Sequence, residues 1–305
     1  LKLNENLRLA VVSATMEEDE GRLKEFYENS SRFHIEKPGS TATRFKINDN
    51  YLDKNIGSYD EALEEADKQL IEIANEPGDI LYFVAGFSDI KKKEEKFNKI
   101  LPDNIICLPF FSKMGIKWRE VVENIGDKEY RKRVKLNRDN IMNVVNNKID
   151  NTDIDDGKKY DKFIIFATNI AEASITIDTL KYVIETGYSK NAKFTPEKGY
   201  YELILEKISD MSRRQRRGRV GRKSEGTVYY MYQENTRLEK PFYKIQNADI
   251  TEELLNMMRH NVNENVIETV DGINIYENGF SPETLIDRSN EFYLIHPGSE
   301  NIIKQ

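Results

Sequence analysis

The 305 residues carry 46 Lys and Arg against 53 Asp and Glu, a net charge of −7, with 38% hydrophobic and 32% charged residues. A chain of this length buries a sizeable core and has room for more than one domain. Its acidic balance excludes attraction of the whole molecule to nucleic acid, so any such binding must come from a local basic surface, and the single cysteine, Cys107, excludes a disulfide framework or a cysteine-rich zinc site.

Residues 1–6 (LKLNEN) lack an initiator Met and a signal-peptide core, which points to an intracellular protein and to a piece of a longer chain. No later apolar run approaches the roughly 20 residues needed to cross a bilayer. Residues 7–12 read as a buried parallel strand ending at Ser13-Ala14-Thr15. The acidic stretch that follows, capped by Thr15 or a neighbour, predicts a helix over 17–27. A short strand is expected at 33–35. Pro38-Gly39-Ser40 then interrupts the chain, and residues 46–59 read as a linker into the next domain.

Over 61–74, Leu63, Ala66, Leu70, Ile71 and Ala74 recur on one side of a helix. Pro77-Gly78 stops it. A strand is predicted at 80–85, a helix at 88–101 and a strand at 105–109, the last holding Cys107 as an apolar strand residue. This alternation is the signature of a parallel α/β sheet. Residues 113–162 are polar and charge-rich, with helices expected at 118–125 and 131–145. In the loop 150–161, Asp153, Asp155 and Asp156 repel one another, which predicts mobility; the residues lack the order of an EF-hand calcium loop. A core strand at 163–167 follows, then a strand at 181–185. A β-hairpin is expected over 194–208, with Tyr200, Leu203 and Leu205 along its second arm. A helix should open at 211–217 and a strand run from 226 to 232. Beyond it, 250–259 reads as helix and 292–295 as strand, with His296 packed rather than catalytic because no carboxylate or cysteine lies at ligand spacing.

The run Gln215-Arg216-Arg217-Gly218-Arg219-Val220-Gly221-Arg222 stands out in an acidic chain. Guanidinium groups are planar, permanently charged and matched to phosphate oxygens, while glycines let a backbone turn or approach a ligand closely. A solvated basic patch is the bland alternative. The ordered Q-R-x-G-R-x-G-R spacing favours polyphosphate chemistry. On one helix face, Arg219 and Arg222 would both reach a single terminal phosphate, whereas Arg216 and Arg217 read as structural or solvated.

Residues 166–178 (FATNIAEASITID) closely resemble motif V of the DEAH/DExH helicases of superfamily 2, and Gln215 to Arg222 resemble their motif VI. Ser13-Ala14-Thr15 matches motif III, and 77–83 (PGDILYF) resembles the strand entering motif IV. Four motifs in family order make the resemblance specific, and it covers about residues 1–255. It implies an α/β fold: a RecA-like parallel sheet flanked by helices, with a β-hairpin insertion and a short C-terminal extension. The implied domains are 1–45, the end of a first RecA-like domain with a linker; 46–240, the second RecA-like helicase domain; and 241–305, a partial extension.

By the same resemblance, Arg219 and Arg222 are arginine fingers and Gln215 orients the attacking water. Thr176, Asp178 and Gly218 face the nucleotide. Thr168, Asn169, Ser174 and Ser112 contact the RNA backbone, with the match at Ser112 a loose one. Ser13 and Thr15 couple the two domains. The implied partners are RNA, as single strand or overhang-bearing duplex, and a first RecA-like domain of the same parent; a membrane is not among them, and no metal ligand is assigned. The implied cofactors are ATP or another NTP and Mg2+. Residues 292–297 faintly resemble poxvirus-type DExH RNA helicases, which would suit a large DNA virus and a host-cytoplasm or virion location.

Departures qualify the picture. Gly86-Phe87-Ser88 stands where motif IV usually has Gly-Gln-Glu, leaving its polar role in doubt. No Phe lies between Ser112 and Phe163 to stack on an adenine, so weak base selectivity is expected; Trp118, Tyr130 and Tyr160 are the aromatics there. There is no G-x-x-x-x-G-K-[ST] loop, and Asp19-Glu20 falls after motif III rather than before it. The expectation is therefore a helicase part that hydrolyses nothing alone. The alternatives are a non-enzymatic nucleic-acid-binding or regulatory module of helicase descent, and a DNA translocase.

Overall fold

The computed structural model describes Gly21 and residues 45–139, 141–145, 156–195, 197–239, 243–252, 266–270 and 273–276. The elements expected at 7–12, 33–35 and 292–295, all but Gly21 of that at 17–27, residues 253–259 of that at 250–259, and the residues Ser13, Thr15 and His296 lie outside the described residues. The chain divides into two compact units, one of Ser40–Asn191 with Leu203–Pro241, the other of Leu1–Gly39, Ala192–Glu202 and Phe242–Gln305.

The larger unit is built on a six-stranded sheet whose neighbouring strands all pair in parallel. Its strands are β1 (Ile47–Tyr51), β2 (Asp79–Phe83), β3 (Ile105–Phe110), β4 (Lys162–Ala167), β5 (Leu180–Glu185) and β8 (Gly226–Tyr230), in spatial order β1-β8-β5-β2-β4-β3. Strands β2, β3 and β4 are buried at every position, β3 included although it stands at one edge of the sheet with β4 as its neighbour; such runs are expected where helices cover both faces of a parallel sheet. Helices α1 (Tyr59–Ile73) and α2 (Phe87–Ile100) bury Ala62, Ala66, Leu70, Ile90 and Phe97. Ser58 starts α1 by accepting the Glu61 N–H at 3.2 Å, with Asp60 and Glu61 placed to favour the positive helix end. Cys107 is fully buried on β3, and that burial pushes its thiol pKa well up.

Three expectations need correction. Residues 47–51, read as linker, form edge strand β1, paired along its length with β8. The pattern INDNY exposes Asn48, Asp49 and Asn50, so this edge strand lacks the apolar density of the buried strands, among them β3 at the opposite edge. Residues 131–145 are not one helix: α3 (Ile116–Asn124), α4 (Lys128–Arg133) and α5 (Ile141–Val145) are separate. Val134 is extended, and the buried Arg138 between α4 and α5 donates to the carbonyls of Leu101 (2.7 Å) and Pro102 (3.1 Å) at the end of α2. Those hydrogen bonds satisfy orphan helix-end acceptors at the expense of helical continuity. The hairpin also starts earlier than expected, with arms β6 (Tyr188–Thr195) and β7 (Tyr200–Lys207).

In the second unit, Phe194 and Tyr201 pack at 5.3 Å. The Phe194 N–H donates to the Asn247 carbonyl at 2.8 Å and the Tyr201 hydroxyl accepts from the Asp249 N–H at 2.9 Å. Strands β9 (Val266–Val270) and β10 (Ile273–Tyr276) pair antiparallel.

Candidate nucleotide and RNA edge of the sheet

Parallel strands deliver their carboxyl ends to one rim, the usual place for ligands in open α/β sheets. Motif V leaves that rim from β4. The Thr168 N–H donates to the Phe110 carbonyl at 3.2 Å, which sets Thr168 and Asn169 beside the turn carrying Ser112 at the end of β3. Ser112 and Asn169 are exposed and Thr168 half-buried. A single turn, α6 (Ala171–Ser174), follows. The Ser174 hydroxyl donates back to the Ile170 carbonyl at 2.6 Å, keeping its lone pairs for another donor. Thr176 and Asp178, both exposed, come next. Thr168 and Asn169 thus stand beside Ser112 at the start of motif V, and Ser174, Thr176 and Asp178 follow along its second half.

Motif VI enters on helix α7 (Asp210–Arg217). Ser209 caps it by accepting the Ser212 N–H at 3.1 Å, and Arg214, Arg216 and Arg217 fill the last turn, where a helix favours cations. The helix ends at Gly218, whose N–H reaches the Arg214 carbonyl at 2.9 Å. Arg219 and Arg222 therefore do not share a helix face. They lie in the turn beyond, where Gly221 adopts φ +75°, a conformation that strains any residue with a Cβ.

That turn still brings the two guanidiniums together. Arg219 Nη1 donates to the Ile175 carbonyl at 2.8 Å and Arg222 Nη1 to Thr176 Oγ1 at 2.7 Å. Each Nε reaches back four residues, to the carbonyls of Gln215 (3.2 Å) and Gly218 (3.1 Å). Neither arginine has a carboxylate ion-pair partner among the described residues. Burial, then the positive charge of Arg222, pushes the Arg219 pKa down to about 10, still charged at neutral pH. The Gln215 side chain has no hydrogen-bond partner among the described residues. Asp178 faces Lys223 at 3.6 Å.

The other two arginines are locked. Arg216 is fully buried, with Nη1 2.7 Å from Glu185, Nε 2.8 Å from Glu172 and its guanidinium 4.6 Å from the Phe83 ring centre. Burial alone would depress its pKa; Glu185 and then Glu172 more than reverse this and keep it charged. Arg217 forms a two-pronged pair with Asp49 on β1, with Nε–Oδ1 and Nη2–Oδ2 both 2.8 Å. Glu172 also accepts from the Ser212 hydroxyl at 3.1 Å, so two side chains of α7 grip one carboxylate of α6. Glu172, Glu185 and Asp49 were not singled out from sequence. Glu172 had a visible signal, a carboxylate among the small and apolar residues of motif V. Glu185 follows the buried Val183 and Ile184 at the end of β5, where an apolar residue would be expected.

Six parallel strands flanked by helices form a sheet like that of a RecA-like helicase domain, and the two neighbouring arginines on its rim make no carboxylate ion pair among the described residues. Residues 137–224 match the model of the helicase conserved C-terminal domain. The chain is 32% identical over 311 residues to a protein of Acanthamoeba polyphaga mimivirus named as an ATP-dependent RNA helicase, a match covering 90% of this chain and 17% of the relative. It is 28% identical over 269 residues to the pre-mRNA-splicing factor ATP-dependent RNA helicase prp22 of Schizosaccharomyces pombe, covering 85% of this chain and 20% of the relative. The DExH-box NTPase HrpB of E. coli superposes with a TM-score of 0.54 at 18% identity over 86% of this chain and 26% of its own. This chain carries a helicase C-terminal domain and is homologous to the DEAH/DExH RNA helicases, spanning about a sixth to a third of the curated relatives' length.

Proposed function

We propose that residues 46–240 are the second motor domain of an NTP-dependent RNA helicase, with 1–45 closing the first motor domain and 241–305 beginning an extension. In this reading the rim at Ser112, Thr168, Asn169 and Ser174 holds the RNA backbone, because short hydroxyls and amides bond phosphate and 2′-OH groups without base preference. Ser13 and Thr15 would relay nucleotide state between the domains. The observation carrying the proposal is the Arg219–Arg222 pair, two neighbouring cations held by three backbone carbonyls and one hydroxyl, with no carboxylate ion pair among the described residues. A terminal phosphate offers both what the protein leaves out, a compact negative charge.

The residues fit a triphosphate. When bound, it supplies a phosphoryl group for transfer to water, with charge spread over its equatorial oxygens. Arg219 and Arg222 would neutralise that charge, Gln215 would orient the water, Thr176 and Asp178 would face the ribose, and Gly218 would let the backbone approach. By the same resemblance, Mg2+ would be held by residues of the first RecA-like domain. Glu172 ties the RNA-facing turn α6 to α7, so a shift at the RNA rim would move the arginines with it. Among the described residues no helix is long and apolar enough to cross a membrane, and the proposed setting is the cell interior.

These 305 residues hold no Walker loop, so the purified chain should bind single-stranded RNA and hydrolyse no ATP. Supplying the first RecA-like domain should restore RNA-stimulated turnover. Magnesium-dependent ATPase activity of the chain alone would contradict this division of labour.

A further inference from the structure

Phe87 occupies the motif IV position at which the expected Gly-Gln-Glu is replaced by Gly-Phe-Ser. It is the first residue of α2, at the carboxyl end of β2, and Val84 just before it donates its N–H to the carbonyl of Ala167, the residue preceding Thr168. A lone exposed apolar side chain assigns nothing; the surroundings of this one do. Its ring is 42% exposed and rests on Phe111, 8% exposed, with centroids 4.6 Å apart and planes inclined by 51°. The buried ring fixes the orientation of the exposed one, and the exposed Ser112 follows directly.

A cation completes the cluster. A Cβ placed on Gly86 would lie 3.2 Å from Lys190 Nζ, so the ammonium sits over the residue next to Phe87. Lys190 is in no ion pair among the described residues. Asp89, the carboxylate two residues after Phe87, is already engaged: its Oδ2 accepts from the Gly86 N–H at 3.2 Å and the Tyr59 hydroxyl at 2.9 Å. A braced aromatic ring, a lysine and a free hydroxyl at one rim are the groups that single-stranded nucleic acid uses: a base face, a phosphate and a sugar hydroxyl.

We infer that Phe87 is a stacking platform for an unpaired nucleobase of single-stranded RNA, flanked by Lys190 and Ser112 as backbone contacts. The inference rests on the RNA rim proposed above and adds to it a base-dependent contact in an interface otherwise limited to the backbone. Fluorescence anisotropy of the purified chain at low salt tests it, with oligoadenosine and an abasic oligomer of the same length as probes. Phe87→Ala should weaken oligoadenosine binding about tenfold, the scale of one aromatic–base stack, and leave abasic binding unchanged. Phe87→Leu, which keeps the packing on Phe111 without a flat face, should behave like the alanine variant. Phe87→Trp should retain affinity, its indole emission quenched by oligoadenosine and not by the abasic oligomer. Equal affinity of wild type and Phe87→Leu for oligoadenosine, or equal losses on both probes, would overturn the platform while leaving the RNA rim standing. A wild-type chain that binds neither probe would remove the rim itself and the platform with it.

Discussion

Arg216 and Arg219 stand three residues apart in one arginine run, yet the protein treats them oppositely. Arg216 is enclosed, its charge answered by Glu185 and Glu172 and its face covered by Phe83. Arg219 meets two carbonyls and a like-charged neighbour, and Glu172 acts on it through space without forming an ion pair. A buried ion pair does not by itself add stability, but removing one partner leaves the other charge stranded. A cation without an internal partner keeps its charge for something outside. The contrast is that Arg216 ties motif VI to Glu172 of motif V and to Glu185 of β5, whereas Arg219, in the proposed function, is held for an anion.

The largest structural effect should follow from Arg216→Ala. Glu185 would then be a buried, unpaired carboxylate, and urea unfolding should show a loss of about 3–5 kcal/mol. A loss under 1 kcal/mol would break the comparison, since Arg216 would then be no more fixed than Arg219.

Glu94 sharpens it from the opposite side. It is a buried carboxylate, 4% exposed, whose close partner is the Asn98 amide at 2.6 Å rather than a cation. Burial pushes its pKa up to about 7. Because the folded form resists ionisation, its penalty is absent below the unfolded pKa near 4.5, grows as pH rises from there, and is complete above about 7. Glu94→Gln keeps the Asn98 acceptor and should stabilise the fold by about 2 kcal/mol at pH 8, with little change at pH 4. A pH-independent difference between the two proteins would count against this reading.

Arg217 is intermediate. Its pair with Asp49 has two-pronged geometry but is partly exposed, so Arg217→Ala should cost roughly 0.5–1 kcal/mol and less in high salt. The smallest effect belongs to Arg219→Gln, which removes a charge that burial and Arg222 already oppose. Its unfolding midpoint should be unchanged or slightly raised; a clear fall would mean Arg219 holds the fold together.

The central sheet was legible because β2, β3 and β4 are buried on both sides and read as dense apolar runs between helical periods. Motif VI was legible as residue types, but not as geometry: the turn at Gly221, and not a helix face, brings Arg219 and Arg222 to Ile175 and Thr176. Edge strand β1 was hidden because three of its five residues face solvent. Arg138 broke the expected long helix through hydrogen bonds to carbonyls more than thirty residues away, which no local pattern reveals. Glu185 and Asp49 acquire their roles only when distant arginines arrive.

The decisive measurement is RNA-stimulated NTP turnover by this chain joined to the first RecA-like domain that the proposed function requires, comparing wild type with Arg219→Lys. Lysine keeps the positive charge and loses the planar fork, so turnover should fall by about 10³-fold or more while the unfolding midpoint stays put. Near-normal turnover, or a loss explained by unfolding, would contradict the assignment of Arg219 and Arg222 to the departing phosphate.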